Sequence, residues 1–247
     1  TVLSAKDVFR DQENRRILIL GKLRRALIDD SFLIYFQPII EVKTGKLVSA
    51  EALIRFKDAE LGWISPAEFI PIAEQAGIIN SIGSIVIEKS CQFLSYIRAG
   101  GYELDYIEIN LSPLECLQNN LPQEIIRIVQ NHGLSPEDIC FEITETAASS
   151  SKELINTTIE RLVLQGFPIA IDDYGTGYSN MLNLLSINFS CIKLDRSIVV
   201  AAESSAKGLK ALKATVALFS SLAIEIVAEG VETEEQLTIV KDAGVQL

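Results

Sequence analysis

The chain has 247 residues, 48% of them hydrophobic, a mass of 27.2 kDa and a mean hydropathy of +0.26, so it can bury a large core and is neither disordered nor collagen-like. Twenty-two Lys and Arg against 33 Asp and Glu leave a formal charge of −11, which argues against DNA or anionic lipid held by bulk attraction. No stretch approaches the ~18 consecutive apolar residues of a membrane span.

The four cysteines, Cys91, Cys116, Cys140 and Cys191, form no C-x-x-C pair and read as reduced core residues, not a zinc cage or disulfide framework. Thr1 is followed by no basic-then-apolar leader and Met181 is the only methionine, so the chain reads as a cytoplasmic piece of a longer polypeptide.

In chain order, Gln12 to Asp29 carries Ile17, Leu20, Leu23, Ala26 and Leu27 on a helical stripe, and its arginines and lysine read as a solvated face. Leu33 to Val42 and Leu47 to Phe56 read as antiparallel strands joined by a turn around Gly45. Helices follow near Pro66 to Gln75 and Ile82 to Arg98. Beyond them, strands at Tyr106 to Asn110, Ile139 to Ile143, Pro168 to Asp172, Cys191 to Asp195 and Ile224 to Glu229 alternate with further helices. Those helices are expected near Gln123 to Asn131, Ser151 to Gln165, Ala206 to Leu222 and Glu234 to Ala243. Short apolar strands alternating with amphipathic helices indicate an α/β fold with a helix-covered parallel sheet. The expected fold is a TIM-like (β/α)8 barrel with an irregular antiparallel first strand pair, Gly244 to Leu247 beginning an eighth strand that the chain does not complete.

The carboxyl ends of these strands carry Glu51, Asn110, Glu142, Asp172 with Asp173, Lys193 with Asp195, and Glu229. In a barrel those ends converge on one face, so residues far apart in sequence meet around one cavity. Oxygen ligands, with one histidine in the whole chain, select a hard cation such as Mg²⁺ or Mn²⁺ over zinc, and four or more carboxylates can hold two ions. Such a pair would attract a phosphate, activate a water and stabilise a leaving oxygen. Lys193 either assists in removing that water's proton or simply neutralises the carboxylates. Tyr174 to Asn180 (YGTGYSN) reads as a glycine-hinged loop over the site, and Glu145 as a helix cap or as an anchor of that loop. His132 sits beside Gly133 at a helix end, and histidine-centred chemistry is set aside.

These residues together resemble an EAL domain, the bacterial phosphodiesterase of cyclic di-GMP. The resemblance rests on Glu51-Ala52-Leu53 with Arg55, Gln37-Pro38, the stretch Pro66 to Glu74, Asn110 to Ser112 and Glu142 to Glu145. It continues through DDYGTGYSN, Lys193 to Asp195, Ala228 to Glu232 and Gln236. It implies metal-dependent hydrolysis of cyclic di-GMP to linear pGpG with Mg²⁺ or Mn²⁺. By resemblance, Glu51, Asn110, Glu142, Asp172, Asp173 and Glu229 are the metal ligands and Lys193, Glu51 and Glu145 serve catalysis, Glu145 by supporting the loop. Gln37, Leu53, Arg55 and Asp195 would form the nucleotide-binding surface. Residues 1–26 would lead in from a preceding region of a larger protein and 27–247 would be the phosphodiesterase domain. A final strand with a glutamine-glycine-tyrosine motif would follow Leu247, and a homodimer would form near the loop after Asp173. Tyr174 stands where the family usually has phenylalanine. A cyclic di-GMP receptor that does not cut its ligand and, on physics alone, an enolase-like lyase or isomerase are the rival readings.

Overall fold

A computed structural model of the chain describes residues 5–148, 153–177 and 181–247; predicted positions at Ser151, Lys152 and Tyr178 to Asn180 lie outside them. The first helix, α1 (Ala5–Asp29), sends Ile19, Leu23 and Ala26 into the core, positions spaced to share one helical face. Part of its cationic face is paired. Arg15 meets Glu68, and Lys22 donates to Glu60 at 2.8 Å and lies 3.4 Å from Asp58.

Strands β1 (Leu33–Ile40) and β2 (Leu47–Asp58) form the expected antiparallel pair, with Gln37 opposite Glu51. The structure adds a three-residue strand, β3 (Gly62–Ile64), pairing with the far end of β2. Helices α2 (Pro66–Gln75) and α3 (Ile79–Ala99) follow, α2 opening on Pro66, whose missing N–H costs nothing in the first turn. The chain then alternates through β4 (Tyr106–Asn110), α4 (Leu121–Asn131), β5 (Ile139–Thr144), α5 (Glu145–Ala148), α6 (Glu153–Leu164) and β6 (Ile169–Tyr174). It ends with α7 (Met181–Leu184), β7 (Cys191–Leu194), α8 (Arg196–Ser204), α9 (Ala206–Ser221), β8 (Glu225–Ala228) and α10 (Glu234–Ala243).

The sheet runs β1-β2-β4-β5-β6-β7-β8, parallel from β2 onward, and curls into an open barrel. Gly244 to Leu247 adds no assigned strand but begins to pair. Leu247 N donates to Ile226 O at 3.2 Å and its carbonyl accepts from Ala228 N at 2.9 Å, while Gln246 O accepts from Val42 N beyond β1 at 2.9 Å. The last residues thus lie in the gap between β8 and β1.

The core has two parts, as alternation of strand side chains requires. Outward residues such as Ile107, Phe141, Ile171 and Ile192 pack under the helices, while Ile39, Cys140, Ala170, Cys191, Val227 and Leu247 fill the barrel floor. All four cysteines are free and buried. Among the described residues, no helix is long and apolar enough to cross a membrane.

Candidate active site

Above the apolar floor the inward positions become polar, and the parallel register brings them to one level. Glu51 pairs with Glu108, Asn110 with Glu142 and Thr144 with Asp172. The centre is Lys193 on β7, 1% exposed. Its Nζ lies 2.6 Å from Glu142 Oε1, 2.9 Å from Glu229 Oε1 and 3.1 Å from Glu51 Oε2, with Glu108 and Asp172 each at 3.7 Å. Burial pushes this ammonium down, but attraction to Glu142, Glu51, Asp172 and Glu229 outweighs it, and Lys193 is held protonated well above the ordinary lysine range. Burial and the adjacent Glu108 raise Glu142, and burial raises Glu229 against the opposing pull of Lys193.

Asp172 and Asp173 are consecutive, so a regular strand would point them to opposite faces. The pairing of β6 with β7 is irregular between Ile171 and Tyr174, and Asp173 takes a positive φ of 57°. That backbone is uncommon for a residue with a side chain and bends the strand end. Oxygen atoms of Asp172, Asp173 and Glu229 consequently come within 4.8 Å of one another. Burial, then repulsion from Asp172, raises the Asp173 carboxyl.

Asn110 Nδ2 donates to Glu51 Oε1 at 2.8 Å, which turns its amide oxygen away and keeps it available as a ligand. The buried oxygens Glu142 Oε2 and Asp172 Oδ1 have no hydrogen-bond partner among the described residues. Crowded hard-oxygen donors that resist full ionisation fit a hard divalent cation.

Glu145, the first residue of α5, accepts from Gly175 N at 3.0 Å and Gly177 N at 3.3 Å, the geometry of a loop anchor. Gly175 has φ 104°, and a Cβ there would lie 2.6 Å from Ile198 Cδ1, so the loop requires glycine. Replacing Glu145 by Ala should lower turnover by about tenfold or more while metal affinity changes less than about twofold, as expected of a side chain that accepts from the loop's backbone N–H groups. A metal titration beside steady-state kinetics checks this; a loss of metal as complete as that of Glu142→Ala would make Glu145 a ligand.

Gln37, Leu53 and Arg55 line the wall rising from Glu51, whereas Asp195 caps α8, accepting from Ser197 N at 2.9 Å. A cavity of about 310 Å³ opens beside this wall, lined by Leu53, Arg55, Pro66, Ile79, Val86 and Glu115 among others. Glu115 is 4% exposed, and burial pushes its carboxyl up to about 7 even though Ser112 N donates to it at 2.9 Å. The folded chain holds this proton more tightly than the unfolded chain, whose glutamate has a pKa near 4.5. The group's contribution is therefore intact below that value and is lost as the pH rises through about 7. Replacing Glu115 by Gln should remove this dependence and add roughly 3 kcal/mol at pH 8 relative to pH 4. Urea unfolding at both pH values measures it, and parallel losses in the two proteins would contradict it.

A family model described as "EAL domain" matches residues 20–247. The chain belongs to the EAL domain family. This EAL domain is 33% identical over 90% of its length to the bifunctional diguanylate cyclase/cyclic di-GMP phosphodiesterase MucR of Pseudomonas aeruginosa, of which it covers 32%. It is 30% identical over 92% of its length to cyclic di-GMP phosphodiesterase NbdA of the same organism, covering 29% of that protein. The chain thus spans about a third of the length of these relatives. The solved structure of the PaMucR phosphodiesterase in complex with c-di-GMP superposes with a TM-score of 0.85 at 32% identity, covering 93% of each chain. The EAL enzyme Bd1971, solved with cAMP and cyclic di-GMP bound, gives 0.86 at 25% identity, covering 95% of this chain and 64% of that one.

Within this EAL domain, the structure gathers Asp172, Asp173 and Glu229 into one candidate cation site, groups Glu51 and Glu142 with Lys193, and fixes Asn110 against Glu51. His132 closes α4 at its C-terminus and pairs with Glu88 at 2.9 Å, away from this chemistry. Glu108, with no exposed surface, is the site residue that sequence reading missed. Its signal was alternation in YIEIN, since a residue two before Asn110 must share the inward face.

Proposed function

We propose that this domain hydrolyses cyclic di-GMP to linear pGpG with two Mg²⁺ or Mn²⁺ ions. The observation that supports this most is the cluster itself, in which a buried lysine lies within 3.7 Å of five carboxylates, two of which, Asp172 and Glu229, also group with Asp173. Asp172, Asp173 and Glu229 would hold the ions together with Glu51, Glu142 and Asn110, and bound cations there supply charge stabilisation and an acidified water. Lys193 manages the proton. The carboxylates that keep it charged are those the cations would neutralise; burial is then less opposed, and the Lys193 amine can take a proton from water. Glu145 anchors the start of the loop after β6 through Gly175 and Gly177, while Gln37, Leu53, Arg55 and Asp195 bind the nucleotide.

A receptor that binds without cutting is the second reading, and the complete set of acids favours the enzyme. The region is proposed to act in the cytoplasm, led in by residues 1–26 from other domains and able to pair with a second copy near the Asp173 loop. Chromatography after incubation with cyclic di-GMP and Mg²⁺ tests the activity. Linear pGpG is the expected product; tightly bound, intact ligand would favour the receptor.

A further inference from the structure

Alternation along β2 puts Glu51, Leu53, Arg55 and Lys57 on one face of the sheet. Direct pairing across the ladder places Tyr35 opposite Leu53, Leu33 opposite Arg55 and Trp63 opposite Lys57, so these side chains share that face. The face that ends in the carboxylate cluster therefore continues outward as an aromatic and cationic surface. Tyr35 and Trp63 are in edge contact, their centroids 6.1 Å apart. The Arg55 guanidinium lies 5.6 Å from the Tyr35 centroid and Lys57 Nζ 5.4 Å from that of Trp63. Yet the rings are 51% and 53% exposed, and an exposed, pre-ordered aromatic pair beside a candidate site is a binding feature.

We propose that the Tyr35 ring is a stacking shelf for the purine of the substrate half farther from the carboxylates, with Trp63, its plane turned 75° from that of Tyr35, walling the edge of the base and Arg55 and Lys57 attracting the second phosphate. The inference rests on the cyclic dinucleotide reading above. Its geometry is favourable: Tyr35 stands opposite Leu53, two residues or ~7 Å along the strand from Glu51. Trp63 lies one ring spacing, 6.1 Å, beyond. A nucleobase presents a flat π-face that stacks on one such ring and meets the other with its edge, and the two cations supply positive charge on the wall of a site otherwise dominated by carboxylates.

Trp63 is the chain's one tryptophan, so its fluorescence reports the shelf directly. Titrating the whole protein with cyclic di-GMP and Mg²⁺ should quench that emission saturably. In the same buffer Tyr35→Ala should raise KM for cyclic di-GMP about tenfold with kcat within about twofold, and Tyr35→Phe should restore it. Hydrolysis of bis(p-nitrophenyl) phosphate, a diester without nucleobases, should be unchanged in both variants. Emission indifferent to the nucleotide, or an unaltered KM in Tyr35→Ala, would overturn the shelf. If the wild-type protein left cyclic di-GMP uncut, the hydrolytic reading would fall, and the emission titration alone would still decide the shelf.

Discussion

Replacing Lys193 by Met is expected to cut turnover of cyclic di-GMP by about 10² or more while leaving its affinity within about tenfold. The stem is of similar length, so packing in a position 1% exposed is largely retained. What disappears is the amine 2.6 Å from Glu142 Oε1 and within 3.1 Å of Glu51 Oε2. Every proposed metal oxygen and the nucleotide wall remain. Without cations, the variant buries acids with no counter-charge and should lose on the order of 3–5 kcal/mol of stability. Mn²⁺ should return much of that loss, because cations replace the missing charge. Calorimetry of ligand binding beside a single-turnover assay measures the first effect, and urea unfolding with and without Mn²⁺ the second. Hydrolysis at the wild-type rate would remove Lys193 from the mechanism.

Replacing Glu142 by Ala should be at least as damaging. Glu142 is 1% exposed, makes the shortest contact with Lys193 and keeps a second oxygen without a hydrogen-bond partner among the described residues. Its removal takes away a proposed cation ligand and leaves Lys193 to the longer contacts with Glu51, Glu229, Glu108 and Asp172. Turnover should fall by at least about 10² and cation affinity by at least about tenfold. An Mn²⁺ titration by calorimetry with rates at saturating metal separates the two. Recovery of the full rate at high Mn²⁺ would confine Glu142 to metal capture.

The barrel and most of its mouth were legible in the sequence because strand ends are chemically marked. Asn110, Glu142, Asp172 and Lys193 lie at or near the ends of short apolar strands, which a parallel sheet brings together, whereas Glu51, expected at a strand end, lies in the middle of β2 and reaches the site because that strand continues beyond its pairing with β4. Less legible features obey weaker signals. β3 has only three residues, too few for a periodic pattern. α8 opens Arg196-Ser197-Ile198-Val199-Val200, where Ile198 to Val200 is a β-branched run with poor helix propensity, and is set by the Asp195 cap and its packing on α9. Glu108 was hidden by lying inside its strand, one inward position short of Asn110. The turn that lets Asp172 and Asp173 share a site depends on a left-handed backbone at Asp173, which nothing in an aspartate's identity requires.

The most direct test of the whole account is a calorimetric titration of metal-free protein with Mn²⁺, with pGpG formation from cyclic di-GMP assayed at each step. The account predicts no product without metal, two ions bound per chain at saturation, and a rate that follows occupancy of the second. Undiminished pGpG formation in excess EDTA, or a fully loaded site that leaves cyclic di-GMP intact, would contradict it.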